Sequence, residues 1–266
     1  MKKKSRKLHA VLFFLLLGST LLSAYSKNIQ VVLNLAEETG NIYTVLQSYA
    51  MLGTQLNYQS PTKEMHHSIE HYEATLKAMK EDFSDPEIGK YLAESQKNWT
   101  PIKAALLDAL KHRNHGKMDK EEKMIHRNFC RLVQQLDGMM DRVLLLEHYP
   151  KSKELKAAIA LGSSARSLSA HYVLGIWGVN DPAVARHRQS AFETFKRSLA
   201  LLRHGVLSGD TAALDAMKKI EKNAFFIETL LRMKQGDTPV IVTQKCDEIQ
   251  QEADKVVKAL LDKTGS

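Results

Sequence analysis

Apolar residues recur every three or four positions along nearly the whole chain, in eight stretches separated by short polar breaks. In the first, Ile29, Val32, Leu35, Ile42, Val45, Leu46, Tyr49, Leu52 and Leu56 predict a helix of nearly thirty residues with one buried stripe. Gln59-Ser-Pro-Thr ends it. A second helix, 62–83, turns Met65, Ile69, Tyr72, Leu76 and Met79 inward, and Ser84-Asp-Pro-Glu supplies a stop and a new start. The third, 86–110, carries Ile88, Leu92, Trp99, Ile102, Leu106 and Leu110, with a kink expected at Pro101, whose ring removes a backbone hydrogen bond. After a polar, basic loop over 112–119, a fourth helix spans 120–148 and buries Ile125, Phe129, Leu132, Leu136 and Met140. Beyond Tyr149-Pro-Lys-Ser-Lys four more are predicted near 152–179, 183–207, 210–235 and 239–263. Asn, Asp and Thr before them suit N-caps, and Pro239 suits a first helical turn. No convincing run alternates β-branched and polar residues.

The second four stretches echo the first four. Arg166-Ser-Leu-Ser-Ala-His-Tyr-Val-Leu-Gly175 parallels Thr44-Val-Leu-Gln-Ser-Tyr-Ala-Met-Leu-Gly53, an offset of 122 residues. Cys130-Arg-Leu-Val-Gln-Gln parallels Cys246-Asp-Glu-Ile-Gln-Gln, an offset of 116. The shorter second offset places an insertion of about six residues in the first half, in the stretch that begins at His112. The expected architecture is all-α: two tandem antiparallel four-helix bundles, residues 28–149 and 153–264, each long enough to bury its own core.

Composition changes the picture at the N-terminus. Met1-Lys-Lys-Lys-Ser-Arg-Lys-Leu-His precedes an almost wholly apolar run over 10–24, the pattern of a signal peptide occupying 1–26, with a retained inner-membrane anchor as the alternative. Either places the remainder across the membrane, with the periplasm as its expected location. The formal charge of +8 comes largely from this segment: five of the 38 basic residues lie in it, leaving 33 against 30 acidic ones. A mildly basic remainder without an aromatic-studded basic stripe excludes nucleic acid as a partner. The two cysteines permit one disulfide between the halves or two packed thiols.

Both halves resemble the periplasmic four-helix sensory domain of PilJ-type (type IV pili methyl-accepting) chemotaxis transducers and NarX-like nitrate/nitrite sensor kinases. The family's first helix carries a Gly-Arg-Gln-Arg-Met-Leu-Ser-Gln-Arg pattern. The second half retains Gly162, Arg166, Leu168 and Ser169 of it, and the first half Gly40 and Leu46. Tyr72-Glu73 with Leu76, Phe192-Glu193 with Leu199, and Trp99 close to Pro101 match further motifs. The resemblance spans residues 28–263. It implies recognition of a small oxyanion such as nitrate or nitrite by arginines of paired first helices, since a guanidinium fork matches planar oxygens. Mapped onto this chain, the implied ligand-binding residues are Arg166, Ser167, Ser169, His171 and Thr44. Thr44 stands where Arg166 has its counterpart, so a pseudo-dimer would face one guanidinium with one hydroxyl; a homodimer through the second half would instead pair two Arg166.

Other chemistry is sparse. His67 and His71 share a helical face with His66 beside them, a spacing read as a solvated face rather than a metal site. Tyr172, Trp177, Phe192 and Phe195 read as core. The acidic residues do not form the Glu and Glu-x-x-His sets of a di-iron bundle and Cys-x-x-Cys-His for haem does not occur, so no cofactor and no metal are expected. Without paired carboxylates, a nucleophile-and-base spacing or a phosphate loop, the chain is not expected to be an enzyme. With no membrane or output segment after the eighth helix, a sensor of this kind would signal through a separate membrane chemoreceptor or sensor kinase. The alternative is a structural or adaptor bundle of the cell envelope with a decayed ligand site.

Overall fold

The computed structural model describes residues 30–111, 119–149, 151–179, 181–203, 210–232 and 238–262. These residues are helical almost throughout, with no strand among them. The eight helices are α1 (30–54), α2 (Pro61–Asp82), α3 (Pro86–Lys111), α4 (Asp119–Leu146), α5 (Ser152–Trp177), α6 (Pro182–Arg203), α7 (Thr211–Arg232) and α8 (Pro239–Asp262). The expected signal segment lies outside the described residues, as does most of the 112–119 loop. Among the described residues no helix is long and apolar enough to cross a membrane.

Helix starts follow the sequence chemistry closely. Pro61, Pro86, Pro182 and Pro239 each open a helix, where the missing N–H is not needed. Asp85 Oδ1 accepts the backbone N–H of Glu87 and of Ile88, both at 3.0 Å; Asp181 Oδ1 accepts that of Ala183 at 2.8 Å; Asp210 Oδ1 accepts that of Ala213 at 3.0 Å. Each satisfies donors that the first turn leaves open. α3 runs on through Pro101, which lies between the buried Trp99 and Ile102.

In the first half, antiparallel neighbours are tied by polar bonds over apolar contacts. Tyr72 packs on the Trp99 ring with centroids 4.5 Å apart, while Glu73 accepts hydrogen bonds from Trp99 Nε1 at 3.1 Å and Lys103 Nζ at 2.6 Å. The aromatic-Glu pair and the tryptophan singled out in the sequence are thus one α2–α3 clasp. Arg142 of α4 reaches Asp85 at 2.8 Å. Both cysteines are free thiols, Cys246 fully buried.

α5 is the helix around which the rest is placed. It packs extensively on α6 and α8, and sixteen of its residues are buried, on every face. Ala157, Ala158, Gly162, Ser164, Ala165, Ser167, Ser169 and Ala170 are small enough to admit neighbours on all sides. At Gly162 an added methyl group would run into the Gln250 side chain of α8. α1 also lies on α5. Gly40 and Thr44 meet Arg166, Tyr43 meets His171, and Tyr49 and Gly53 meet Trp177, the Tyr49 ring edge-on at 5.3 Å, so over the length of the seam the contacts advance together and the two helices run parallel. Trp177 occupies the space above Gly53, where any side chain would collide with its ring.

Candidate functional site

Arg166 sits half-buried on α5 with its methylenes passing over Gly40 of α1. Its Nη1 donates to Thr44 Oγ1, which in turn donates to the Gly40 carbonyl at 3.2 Å. Repeat-equivalent residues therefore touch each other. They open into a polar pocket of about 200 Å³ lined by Thr44, Gln47, Ser48, Met51, Tyr58, Gln59, Glu64, Arg166, Asp247 and Gln251.

Tyr58 and Gln59 enter this pocket from the α1–α2 connection, where Gln55, Gln59 and Ser60 all hold left-handed backbone (φ 59°, 52° and 53°) without being glycine. Such conformations cost energy and persist only where surroundings enforce them. Tyr58 donates its hydroxyl to Asp247 Oδ2 at 3.3 Å, and Gln59 donates to the Tyr58 oxygen at 3.0 Å. Burial pushes the Asp247 carboxyl above its ordinary value, a shift that the Arg166 charge and the Tyr58 hydrogen bond oppose. One guanidinium and two carboxylates, Asp247 and Glu64, thus share the lining with four uncharged polar types.

The five residues implied by the resemblance do not form one constellation. Arg166 and Thr44 share the pocket. Ser169 faces α8, its hydroxyl 3.0 Å from that of Thr243. Ser167 borders a different, larger cleft of about 480 Å³ between α1, α4, α5 and α6. His171 is buried behind that cleft, with its Nδ1 2.7 Å from the Ser167 carbonyl and its Nε2 3.1 Å from Nε2 of His126.

Around His171 the structure gathers His126, Cys130 and His187, none of which the sequence marked as a ligand. Cys130 Sγ is 3.6 Å from His126 Nε2, and the rings of His126, His171 and His187 have centroids 5.1, 5.4 and 5.4 Å apart. Among the described residues, His126, Cys130 and His187 each offer one ligand atom within 4.8 Å of the others. Burial depresses His126 to about 4, helped by the neighbouring His187, and His171 to about 3, so both rings are neutral at pH 7. The only local signal was His126 and Cys130 four apart on α4; the other members come from α5 and α6. His67, by contrast, is exposed, and His71 bonds to Glu38.

The chain matches no protein-family model, no curated protein and no solved structure.

Proposed function

We propose that this is an exported, non-catalytic sensory protein of two tandem four-helix modules, 28–149 and 153–264, related to the PilJ-type and NarX-like periplasmic domains. It binds a small ligand at Arg166 and passes that state to a separate membrane chemoreceptor or sensor kinase. The observation that carries the reading is the meeting of Arg166 with Thr44, its repeat equivalent, in a polar pocket between α1 and α5. One chain thereby supplies the parallel pair of first helices that the resemblance places across a dimer interface. A ligand oxygen that takes over the Arg166 fork would displace Thr44 and bear directly on the α1–α5 pairing, a route from binding to helix movement.

Pocket chemistry refines the ligand. A single guanidinium beside Asp247 and Glu64 gives a bare nitrate ion little net attraction. A small molecule with a carboxylate or other oxyanion for Arg166 and an ammonium for the two acids, such as an α-amino acid, balances the charges better. Titration calorimetry of the mature protein against nitrate, nitrite and small α-amino acids, with Arg166→Ala as control, tests this. Heat that disappears in the variant is the expected result; silence across the panel removes the sensory reading.

The adaptor alternative is favoured by one observation. Phe225 is 74% exposed on α7, beside the partly exposed Phe226, an apolar pair of the kind that docks on other proteins. A photo-crosslinker placed at Phe225 in the envelope would capture a defined partner under that reading and nothing specific under the first.

A further inference from the structure

Where α4 meets α5 and α6, His126, Cys130 and His187 each offer a ligand atom within 4.8 Å of the others, and His171 lies against His126. In a tetrahedral centre with metal–nitrogen bonds near 2.05 Å and a metal–sulfur bond near 2.3 Å, neighbouring ligand atoms lie about 3.3 Å apart for two nitrogens and about 3.6 Å for nitrogen and sulfur. His126 Nε2 stands 3.1 Å from His171 Nε2 and 3.6 Å from Cys130 Sγ. His187 offers a ligand atom within 4.8 Å of those of His126 and Cys130, and its ring stacks on that of His171.

Proton placement supplies an independent argument. A carbonyl can only accept, so the 2.7 Å contact with the Ser167 carbonyl assigns the hydrogen of neutral His171 to Nδ1 and leaves its Nε2 as a bare lone pair. Without an ion, His126 must then carry its hydrogen on Nε2 to avoid two facing lone pairs. That strips Nδ1 of its hydrogen and turns it, buried and without a hydrogen-bond partner, toward the Asp181 carboxylate 3.8 Å away. Two acceptors face each other either way. A cation between the Nε2 atoms removes the conflict: both lone pairs go to the metal, and the His126 hydrogen returns to Nδ1, facing Asp181. These two imidazoles would then have the outer partners that metal-ligating histidines usually have, a backbone carbonyl for His171 and a carboxylate for His126.

We infer that His126, Cys130 and His187, joined by His171 from beside His126, bind one borderline transition-metal cation, of the class that includes Zn²⁺ and Co²⁺, and so clamp α4 to α5 and α6. The donor set of imidazoles and one thiol selects against magnesium and calcium, which take oxygen ligands. Cys130 and His187 line the 480 Å³ cleft, which gives the ion an entry path. On binding, the Cys130 S–H bond is replaced by a sulfur–metal bond and the proton leaves to solvent through the same cleft. The site is separate from the Arg166 pocket, so Arg166→Ala should leave it intact whatever becomes of the sensory reading.

The test uses the purified full chain, stripped with a chelator and titrated with Zn²⁺ against a chromophoric competitor, then with Co²⁺ for its spectrum. Expected are stoichiometric Zn²⁺ uptake, an intense tetrahedral Co²⁺ spectrum, and a thiolate-to-cobalt charge-transfer band that vanishes in Cys130→Ser. His67→Ala should have no effect. Asp181→Asn, which keeps an N-cap side chain for α6, should weaken Zn²⁺ binding roughly tenfold to 100-fold through the loss of its carboxylate. Circular dichroism confirms that each variant is folded; should His187→Ala fail to fold, Cys130→Ser and Asp181→Asn decide the matter. Zn²⁺ affinity unchanged in those two variants, a six-coordinate Co²⁺ spectrum, or no uptake by the full chain would each overturn the assignment.

Discussion

Gln59 and Ser60 pass through left-handed backbone at the mouth of the Arg166 pocket, and only one of them touches it. Glycine reaches that conformation without the steric cost a Cβ brings. Ser60→Gly should therefore raise the free energy of unfolding by about 1 kcal/mol in a denaturant titration and leave ligand binding alone. Gln59→Gly should bring a similar gain but remove the amide that holds Tyr58, and with it, under the proposed sensory function, ligand affinity. A loss of stability in Ser60→Gly would show that the Ser60 conformation is not strained. Glu38 of α1 poses a charge problem instead. It is fully buried, its Oε1 accepts from Thr75 at 2.8 Å and from His71, and its Oε2 has no hydrogen-bond partner. Burial raises its pKa above the ordinary glutamate value despite the help of Thr75 and His71. The folded protein therefore binds the Glu38 proton more tightly than the unfolded chain, and this residue's contribution to stability falls as pH rises through the ordinary carboxylate range and on to the raised folded value. Glu38→Gln should accordingly melt higher than the wild type at pH 7, with the gap closing by about pH 4. A variant that melts lower at pH 7 would mean that the pairing with His71 outweighs burial.

At the scale of the helix, the start signals were legible and the central element was not. Prolines and aspartates at the starts of α2, α3, α6 and α8 are local chemistry, visible in any short window of sequence. Asp210 acts on α7 through one backbone bond, and Asp210→Ala should cost about 1 kcal/mol, read as a shift in the denaturation midpoint without a change in slope. α5 is different because its run of alanine, serine and glycine has no single apolar stripe. Periodicity reports one buried face, so a helix buried on all faces through small residues looks like any other amphipathic stretch. The candidate sites divide in the same way. Arg166 and Thr44 were legible because a repeat marks equivalent positions and the structure brings those positions together. Asp247 and Tyr58 reach the same pocket from α8 and a connection, and no spacing in the chain relates them. The histidine and cysteine cluster is less legible still: three helices contribute, and only His126 and Cys130 share one.

For the whole molecule, the question is whether the two repeats are independent bodies, as the expected pair of self-standing bundles implies. Several contacts of α5 belong to the first half: Thr44, Tyr43 and Tyr49 of α1 lie against it, Asp141 of α4 pairs with Lys156 at 2.5 Å, and His126 abuts His171. A fragment spanning 153–264 would expose to water the face on which Trp177 covers Gly53 and His171 meets His126, and a fragment spanning 28–149 would expose the matching face of α1. Uncovering packed apolar area costs roughly 25 cal/mol for each Å², against a total stability of about 5–15 kcal/mol for a typical domain. The two fragments made separately should therefore unfold at markedly lower denaturant concentration than the intact chain, and mixing them should restore the lost stability and yield a one-to-one complex by sedimentation. Fragments that each match the intact chain in midpoint and do not associate would show that the seam between α1 and α5 contributes little. In that case Arg166 and Thr44 would be neighbours without being coupled, and a ligand between them could not move one half against the other.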